Sequence, residues 1–195
     1  MLRRLKRNLI RMHGRAVHGV ERPASELNVN LVQGNACDLS AFDDNTYDVV
    51  LVFGPLYHLE NKEDRSKCIQ EAKRVCKDDG VIFFAFISND MVILTELYCY
   101  NSEYLKGGDY NQDTFKVEDF PFVFFTVDDA RKMLVEEGIK IEKEIASDGV
   151  SELLADKINQ MDDESYKQYL KYHFYCCEKP EMLGRSNHLL FIGKK

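Results

Sequence analysis

The feature that most constrains this sequence is a pair of apolar segments within residues 28–59. Residues 28–33 alternate between apolar and polar side chains, which predicts a strand that ends at Gly34. Residues 47–53 form a near-continuous apolar run, which predicts a strand buried on both faces. Because such strands belong to parallel sheets covered by helices, the chain is predicted to fold as an α/β protein.

A helix and another strand follow directly. Apolar residues recur at three- and four-residue spacing over 66–77, which predicts a helix with its charged residues on the outer face. Residues 77–80 end that helix, and Gly80 is predicted to take the left-handed conformation of a helix cap. Residues 81–87 predict a second fully buried strand. Short turns between strand, helix and strand indicate a βαβ unit with parallel strands.

The rest of the chain continues the alternation of helices and strands. Thr126 is predicted to cap a helix that runs to residue 137 and ends at Gly138. Another helix is predicted to start at Asp162 or Asp163 and to end before Pro180. The other predicted elements are a helix over 91–104, an aromatic strand or turn over 120–125, a strand over 139–145, a weak helix over 151–159 and a closing strand over 187–192. This pattern is typical of a doubly wound α/β sheet, here in a single domain over residues 1–195.

Charge and hydropathy narrow the classes of partner. The formal net charge is −7, yet residues 1–22 alone carry +6. The acidic remainder disfavours nucleic acid as a partner, because phosphate contacts supply most of that affinity. The basic segment is interpreted either as a small anion-binding arm or as a solvated terminus. No apolar run reaches the ~20 residues that cross a bilayer, and no secretory signal is visible, so a cytoplasmic protein without a membrane partner is expected.

The six cysteines do not form a metal-binding or disulfide pattern. None stands in a C-x-x-C pair, and no two pairs have the spacing of a zinc site. We interpret them as small buried apolar residues in a reducing compartment, and we expect no metal.

Two turns are the candidate binding site. Residues 34–39 follow the first predicted strand and residues 53–59 follow the next, so both turns are expected at the same rim of the sheet. Asn35 and Asp38 offer polar side chains there, and the backbone N–H groups of Ala36 and Cys37 are expected to be free donors. Pro55, Leu56 and Tyr57 supply an apolar wall, and Gly54 permits close approach of the backbone. The rim therefore suits a flat apolar ligand with polar edges.

The residues of this region resemble a known family. The segments GNACDLSAF, DDNTYDVVLVFGPLYHL and EDRSKCIQEAKRVCKDDGVIFFAFIS resemble the middle of class I S-adenosylmethionine-dependent methyltransferases. The C-terminal region resembles a bacterial small-molecule branch whose last helices form a cap. The resemblance implies a Rossmann-like sheet, mostly parallel with an antiparallel C-terminal strand. It implies S-adenosylmethionine as cofactor, a small-molecule methyl acceptor, and four parts of the chain: 1–27, 28–88, 89–180 and 187–192.

The resemblance also assigns roles to individual residues. It implies that Asn35 lies near the adenine amino edge, and that Phe53 and Gly54 lie under the sulfonium. Tyr57 and His58 would lie, with Leu56, between cofactor and substrate. The residues implied to contact the cofactor are Glu21, Gly34, Asn35, Ala36, Cys37, Asp38, Phe53, Gly54 and Leu56.

The N-terminal residues depart from the family pattern. The family's first strand ends in a Gly-rich acidic loop that holds the methionine part of the cofactor, and nothing like G-x-G-x-G precedes Asn28. Residues 16–21 are interpreted either as the family's second strand, with Glu21 as its ribose-binding acid, or as a loop after a helix over 2–12. Both interpretations predict an incomplete sheet, through truncation, rearrangement or an artificial start. The strand over 47–53 would then expose an unpaired edge, through which self-association is expected.

Two hypotheses on function stay open at this point. One is an active methyltransferase, and the other is a truncated, non-catalytic methyltransferase-like protein with little or no cofactor binding. In the enzyme, His58 is the candidate base for the substrate nucleophile, although the alternative is that it orders its turn. His173 and His188, with the tyrosines of residues 166–175, are interpreted either as the lining of a substrate pocket or as helix core.

Overall fold

The computed structural model describes residues 32–119 and 121–195. The predictions for residues 1–31, Glu21 among them, lie outside these described residues. The strands are β1 (Tyr47–Val52), β2 (Cys76–Ser88), β3 (Phe124–Phe125), β4 (Lys140–Ala146) and β5 (His188–Lys194). The helices are α1 (Pro55–His58), α2 (Lys62–Val75), α3 (Asn89–Thr95), α4 (Tyr104–Gly107), α5 (Val127–Glu136), α6 (Ala155–Ile158), α7 (Asp163–Cys176) and α8 (Pro180–Leu183). A π-helical turn, Glu96–Tyr100, continues α3.

The sheet has the strand order β1-β2-β5-β4. Strands β1 and β2 are parallel, and the short β3 pairs in parallel with the last residues of β2. Strand β5 is antiparallel to both β2 and β4. This arrangement confirms the predicted α/β class, with parallel strands first and an antiparallel closing strand. It also places the carboxyl ends of β1 and β2 at one edge.

The main core lies where the central strand meets its neighbours. Phe84, Phe86 and Phe191 of β2 and β5 are fully buried. They belong to one apolar cluster with Ile69 of α2 and Leu134 of α5. Within the strand predicted over 81–87, buried and half-buried residues alternate, so one face of β2 is fully covered and the other only in part.

A second, smaller cluster lies beyond the carboxyl end of β2. It joins Ile93 of α3 to Tyr104, Tyr110, Val117 and Phe124. This cluster holds the long segment between α4 and β3 against α3. It therefore shapes the surface at the end of the sheet at which ligands of such folds bind.

The prediction that β1 is buried on both faces is wrong. Val52 is buried, but Val49 is 52% exposed and Leu51 is 39% exposed. Val52 belongs to the core cluster that includes Ile69 of α2, so only one face of the strand is buried in the described part of the chain. An apolar run in the sequence therefore overstates the burial of this strand.

Gly80 is not a helix cap, in contrast to the prediction. Helix α2 ends at Val75, and Gly80 lies within β2. Its φ is not positive, so it does not take the left-handed conformation of a cap. A Cβ atom there would lie 2.6 Å from Sγ of Cys76 and 3.0 Å from the backbone oxygen of Asp48. Glycine is needed because β1 and β2 approach closely at the irregular start of their ladder.

The caps of two later helices match the predictions closely. The Thr126 side chain accepts a hydrogen bond from the N–H of Asp129, and the Asp129 carboxylate accepts one from the N–H of Thr126. Gly138 takes a positive φ of 75° just after α5. Asp162 caps α7 by accepting from the N–H of Ser165. The helix predicted over 91–104 is interrupted, because α3 gives way to the π-turn and a short loop before α4.

The aromatic helix α7 does not pack as the core interpretation predicts. Tyr172, Phe174 and Tyr175 are each more than 60% exposed, and Cys176 is the buried residue of the helix. Its aromatic side chains are therefore not core in the described structure. None of the helices in residues 32–119 and 121–195 is long and apolar enough to cross a membrane.

Candidate functional site

Helix α2 positions the turn formed by residues 34–39. Glu71 accepts a hydrogen bond from the N–H of Leu39 at 2.5 Å. Arg74 binds Glu71 and donates to the backbone oxygens of Leu39 and Phe42. The hydrogen bond from Arg74 lowers the pKa of Glu71, so this pair stays ionised at neutral pH. The turn is thus fixed from behind, and its outer face is left to solvent.

The polar groups of this turn are partly used within it. Oδ1 of Asn35 accepts the N–H of Cys37 at 3.0 Å, and the backbone oxygen of Asn35 accepts the N–H of Asp38. The prediction that the Cys37 N–H is free is therefore wrong. Asn35 Nδ2 and the Ala36 N–H have no partner among the described residues. Burial raises the pKa of the Cys37 thiol, which argues against a reactive thiolate.

Gly54 shapes the turn after β1. Its φ is 118°, a conformation that residues with a side chain rarely adopt, and it stands at the N-terminus of α1. Phe53 beside it is 51% exposed, whereas Leu56 is fully buried. Ala36 and Leu56 belong to the same core cluster, so both candidate turns pack on one core.

An aromatic group links this turn to the next part of the surface. The Phe122 ring lies 5.1 Å from that of His58 and 6.1 Å from that of Tyr57, between centroids. The N–H of Val123 donates to the backbone oxygen of Tyr57 at 2.9 Å. His58 itself is exposed and has no hydrogen-bond partner in the described part of the chain.

Phe122 also lines a cleft of about 360 Å³. Its walls come from the end of β2, from α3 and the π-turn, from the segment 104–124, and from the start of β5. Its size falls within the range of small-molecule sites. His173 and Tyr57, which the sequence suggested for a substrate pocket, are not among the residues that line it.

The lining of the cleft includes a hydrogen-bonded histidine. Nδ1 of His188 lies 2.6 Å from Oδ2 of Asp148. Asp148 also accepts from the hydroxyl of Ser186 at 2.5 Å and from the N–H of His188 at 3.2 Å. Burial of Asp148 favours its neutral form, but these hydrogen bonds outweigh that effect and lower its pKa. The bond to Asp148 in turn raises the pKa of His188.

Replacing His188 with glutamine should remove a pH-dependent part of the stability. A raised histidine pKa stabilises the folded state below the ordinary value of about 6.5, and this contribution disappears as pH rises through the raised pKa. The Asp148 contribution is present above a pH of about 4 and disappears at lower pH. The loss of unfolding free energy should therefore be greater at about pH 5 than at about pH 8, because histidine changes charge in this range.

Urea unfolding of both proteins at the two pH values measures this difference. It should stay below about 1 kcal/mol, because the His188 side chain is 55% exposed. His173→Gln is the control, since His173 contacts the rings of Tyr169 and Phe174 rather than a carboxylate. An equal loss of stability at both pH values in His188→Gln would contradict the ion pair.

Comparisons with known proteins identify the fold. A family model described as a methyltransferase domain matches residues 9–84. A solved structure from Thermotoga maritima, a SAM-dependent methyltransferase described as a possible histamine N-methyltransferase, has a TM-score of 0.53 and 15% identity. The match covers 88% of this chain and 66% of that one. The fold is that of the class I S-adenosylmethionine-dependent methyltransferases.

Another methyltransferase structure gives a weaker match. It comes from Methanosarcina mazei, with a TM-score of 0.48 and 18% identity, and covers 86% of this chain and 67% of that chain. The chain thus spans about two thirds of the length of each of these two structures. No curated protein matches the chain significantly. The methyltransferase match implies S-adenosylmethionine as the cofactor.

The donors and acceptors of the first turn fit one end of this cofactor. Asn35 Nδ2 and the Ala36 N–H are donors without a partner in the described part, and the Asp38 carboxylate is exposed. Such a set of donors and acceptors suits the edge of a purine. At the second turn, a Cβ on Gly54 would meet its nearest atoms only at 3.9 Å, so the surface is open there.

Proposed function

We propose that this protein transfers the methyl group of S-adenosylmethionine to a small-molecule acceptor bound in the cleft. The observation that carries the proposal is the position of Phe122. This side chain lines the cleft and also contacts Tyr57 and His58, in the turn that the family resemblance assigns to the region between cofactor and substrate. A cofactor site and an acceptor site that meet at one side chain would bring the two reactants close together, as direct transfer requires.

The cofactor would be held mainly by the two turns. Asn35, Ala36 and Asp38 would bind its adenine side, and Phe53 and Gly54 would lie under its reacting end. When bound, S-adenosylmethionine supplies an electrophilic methyl group on a sulfonium. The task of the chain is then to position the acceptor, exclude water and take up a proton.

His188 is the better supported base for that proton. It lines the cleft, and Asp148 orients its ring through Nδ1, which leaves Nε2 without a partner among the described residues. A carboxylate that fixes the tautomer in this way leaves the other nitrogen to accept a proton. His58, the candidate base from the sequence, has no such orienting group in the described part, and its ring packs at a tilt against that of Phe122 instead.

Calorimetric titration with S-adenosylmethionine, and separately with its demethylated product, tests this function. Both should bind. Gly54→Ala should weaken binding about tenfold, because each tenfold corresponds to about 1.4 kcal/mol and a positive φ strains a residue that carries a Cβ. Asn35→Ala should weaken binding by a similar factor of about ten, because it removes the free amide and releases the Cys37 N–H.

Gly184→Ala is the matched control. Gly184 has a φ of −69°, and nothing lies within 4 Å of a Cβ placed there. The affinity of the Gly184→Ala variant for the cofactor should equal that of the wild type. If neither cofactor nor product binds the wild type, the proposed function is refuted in favour of the non-catalytic alternative. If both bind but Gly54→Ala and Asn35→Ala leave the affinity unchanged, the cofactor lies elsewhere.

A further inference from the structure

The cleft has a marked excess of negative charge. Four carboxylates line it: Glu96, Asp109, Glu118 and Glu152. No lysine or arginine is part of its lining, and none of the four forms a salt bridge within the described residues. Acids on a protein surface are often matched by nearby cations, as Asp119 is by Lys116 just outside the cleft. Among the residues that the structure describes, the acids of the cleft have no such partner.

Aromatic rings form much of the remaining wall. Tyr100, Tyr104, Phe122 and Phe124 line the cleft. Phe122 and Phe124 stand nearly perpendicular, with an interplanar angle of 83°. The faces of such rings attract cations, most strongly in sites that are partly shielded from water. Aromatic walls and unpaired carboxylates thus favour the same kind of ligand.

The polar floor of the cleft holds one of its carboxylates through a neutral amide, and no lysine or arginine of the described residues forms a salt bridge with it. Thr95 and Asn187 are buried, and Nδ2 of Asn187 donates to Oγ1 of Thr95 at 2.9 Å. The same amide also donates to the carboxylate of Glu152. A neutral amide orients this carboxylate but does not neutralise it. The negative charge of Glu152 therefore remains available to a ligand.

The carboxylates of the cleft also act on a tyrosine in its wall. Burial raises the pKa of Tyr104, and the carboxylates of Glu96, Asp109 and Glu118 raise it further. Negative charges from three separate parts of the chain thus act on one point inside the cleft. A ligand cation placed there would be stabilised by the same charges.

We propose that the acceptor in this cleft is a small amine that binds as its ammonium form, next to aromatic walls and carboxylates. This inference rests on the proposed function for the reaction itself, but the binding preference is independent of it. An ammonium nitrogen has no lone pair, so it must lose a proton before it can act as a nucleophile. His188 accepts that proton at Nε2 and becomes an imidazolium that Asp148 stabilises, while the nitrogen keeps the lone pair. Binding as a cation and activation as a neutral amine then occur in the same site.

Three probes with the same apolar body and different charge test the proposal. They are 2-phenylethylamine, 2-phenylethanol and 3-phenylpropanoate, each titrated near neutral pH without cofactor by calorimetry or saturation-transfer NMR. The amine should bind at least about tenfold more tightly than the alcohol, because charge pairs in a partly buried site are stronger than in water. The carboxylate should show no binding. Added salt should weaken the binding of the amine and leave the affinity for the alcohol unchanged.

Variants locate the binding on the cleft. Glu96→Gln combined with Glu118→Gln should lower the affinity for the amine about tenfold, since both charges act at short range, with little effect on the alcohol. Glu164→Gln is the control, because it removes a carboxylate in the first turn of α7, away from the cleft. It should leave the affinity for the amine unchanged. A thermal unfolding transition in each variant would show that the variant is folded. The salt dependence of amine binding by the wild type tests the charge preference without any substitution.

The outcomes separate this inference from the proposed function. Equal affinity for amine and alcohol, no binding of any probe, or an unchanged amine affinity in the double variant would each overturn the amine site. Binding of the cofactor without binding of the amine would leave methyl transfer standing and refute the amine as acceptor. Binding of the amine without binding of the cofactor would support the cation site and refute the methyltransferase function.

Discussion

Replacing Phe86 with alanine should lower the free energy of unfolding by about 3–5 kcal/mol. Phe86 lies in the central strand β2 and is fully buried. Its ring meets that of Phe125 edge to face at 5.0 Å and that of Phe191 at 5.5 Å. The substitution removes apolar burial, two aromatic contacts and the close packing around them. Three strands would lose packing together, because Phe125 and Phe191 belong to β3 and β5.

Urea unfolding of this variant and of Phe174→Ala makes the comparison direct. Phe174 is the same residue type at a position that is 69% exposed on α7. Its replacement should change the free energy of unfolding by less than about 0.5 kcal/mol, as is usual for surface sites. A similar loss in both variants would show that α7 packs against something outside the described residues. A loss below about 1 kcal/mol for Phe86 would contradict the described core.

Features that depend on neighbouring residues could be predicted from the sequence. Thr126 and Asp162 cap helices by bonding N–H groups three residues away, and Gly138 ends a helix at its own position. The strand–helix–strand order also followed from local patterns, whereas the antiparallel direction of the closing strand was implied by the family resemblance. In each local case the cause of the structure and the residues that show it lie within a few positions of each other.

Features that depend on distant contacts were missed or misjudged. The periodicity of α7 shows which side chains share a face, but it does not show whether anything covers that face. Gly80 stands after a helix, where a cap is the usual explanation, yet it is needed for the approach of Asp48 in another strand. A pattern of apolar residues likewise predicts the strand β1 but not the exposure of Val49.

The acidic cleft is the clearest case of this kind. Glu96, Asp109, Glu118 and Glu152 lie in four separate segments, and in the sequence each resembles an ordinary solvated acid. One signal was available for the histidine pair. Asp148 follows the predicted strand over 139–145, and His188 opens the closing strand over 187–192. Antiparallel pairing of those two strands would have placed both residues at the same end of the sheet.

Asn89 is the residue that holds one wall of this cleft in place. It is 2% exposed and stands at the start of α3. Its Nδ2 donates to the backbone oxygen of Phe115 at 2.9 Å, and its Oδ1 accepts the N–H of Val117 at 2.8 Å. The segment it binds continues into Glu118, and both Val117 and Glu118 line the cleft. One buried amide thus fixes the position of a carboxylate that the proposed ligand needs.

Replacing Asn89 with leucine should therefore destabilise the protein by about 2–3 kcal/mol, since it leaves a buried N–H and a carbonyl without partners. Asn111→Leu is the matched control, because Asn111 also accepts backbone N–H groups, from Asp113 and Thr114, but in an exposed turn of the same segment. Its cost should be below about 1 kcal/mol. Urea unfolding measures both. In the folded Asn89→Leu variant, the affinity for 2-phenylethylamine should fall while cofactor binding at the turns of residues 34–39 and 53–59 is retained. Retained affinity for the amine despite the lost stability would show that the wall formed by residues 115–118 takes no part in binding.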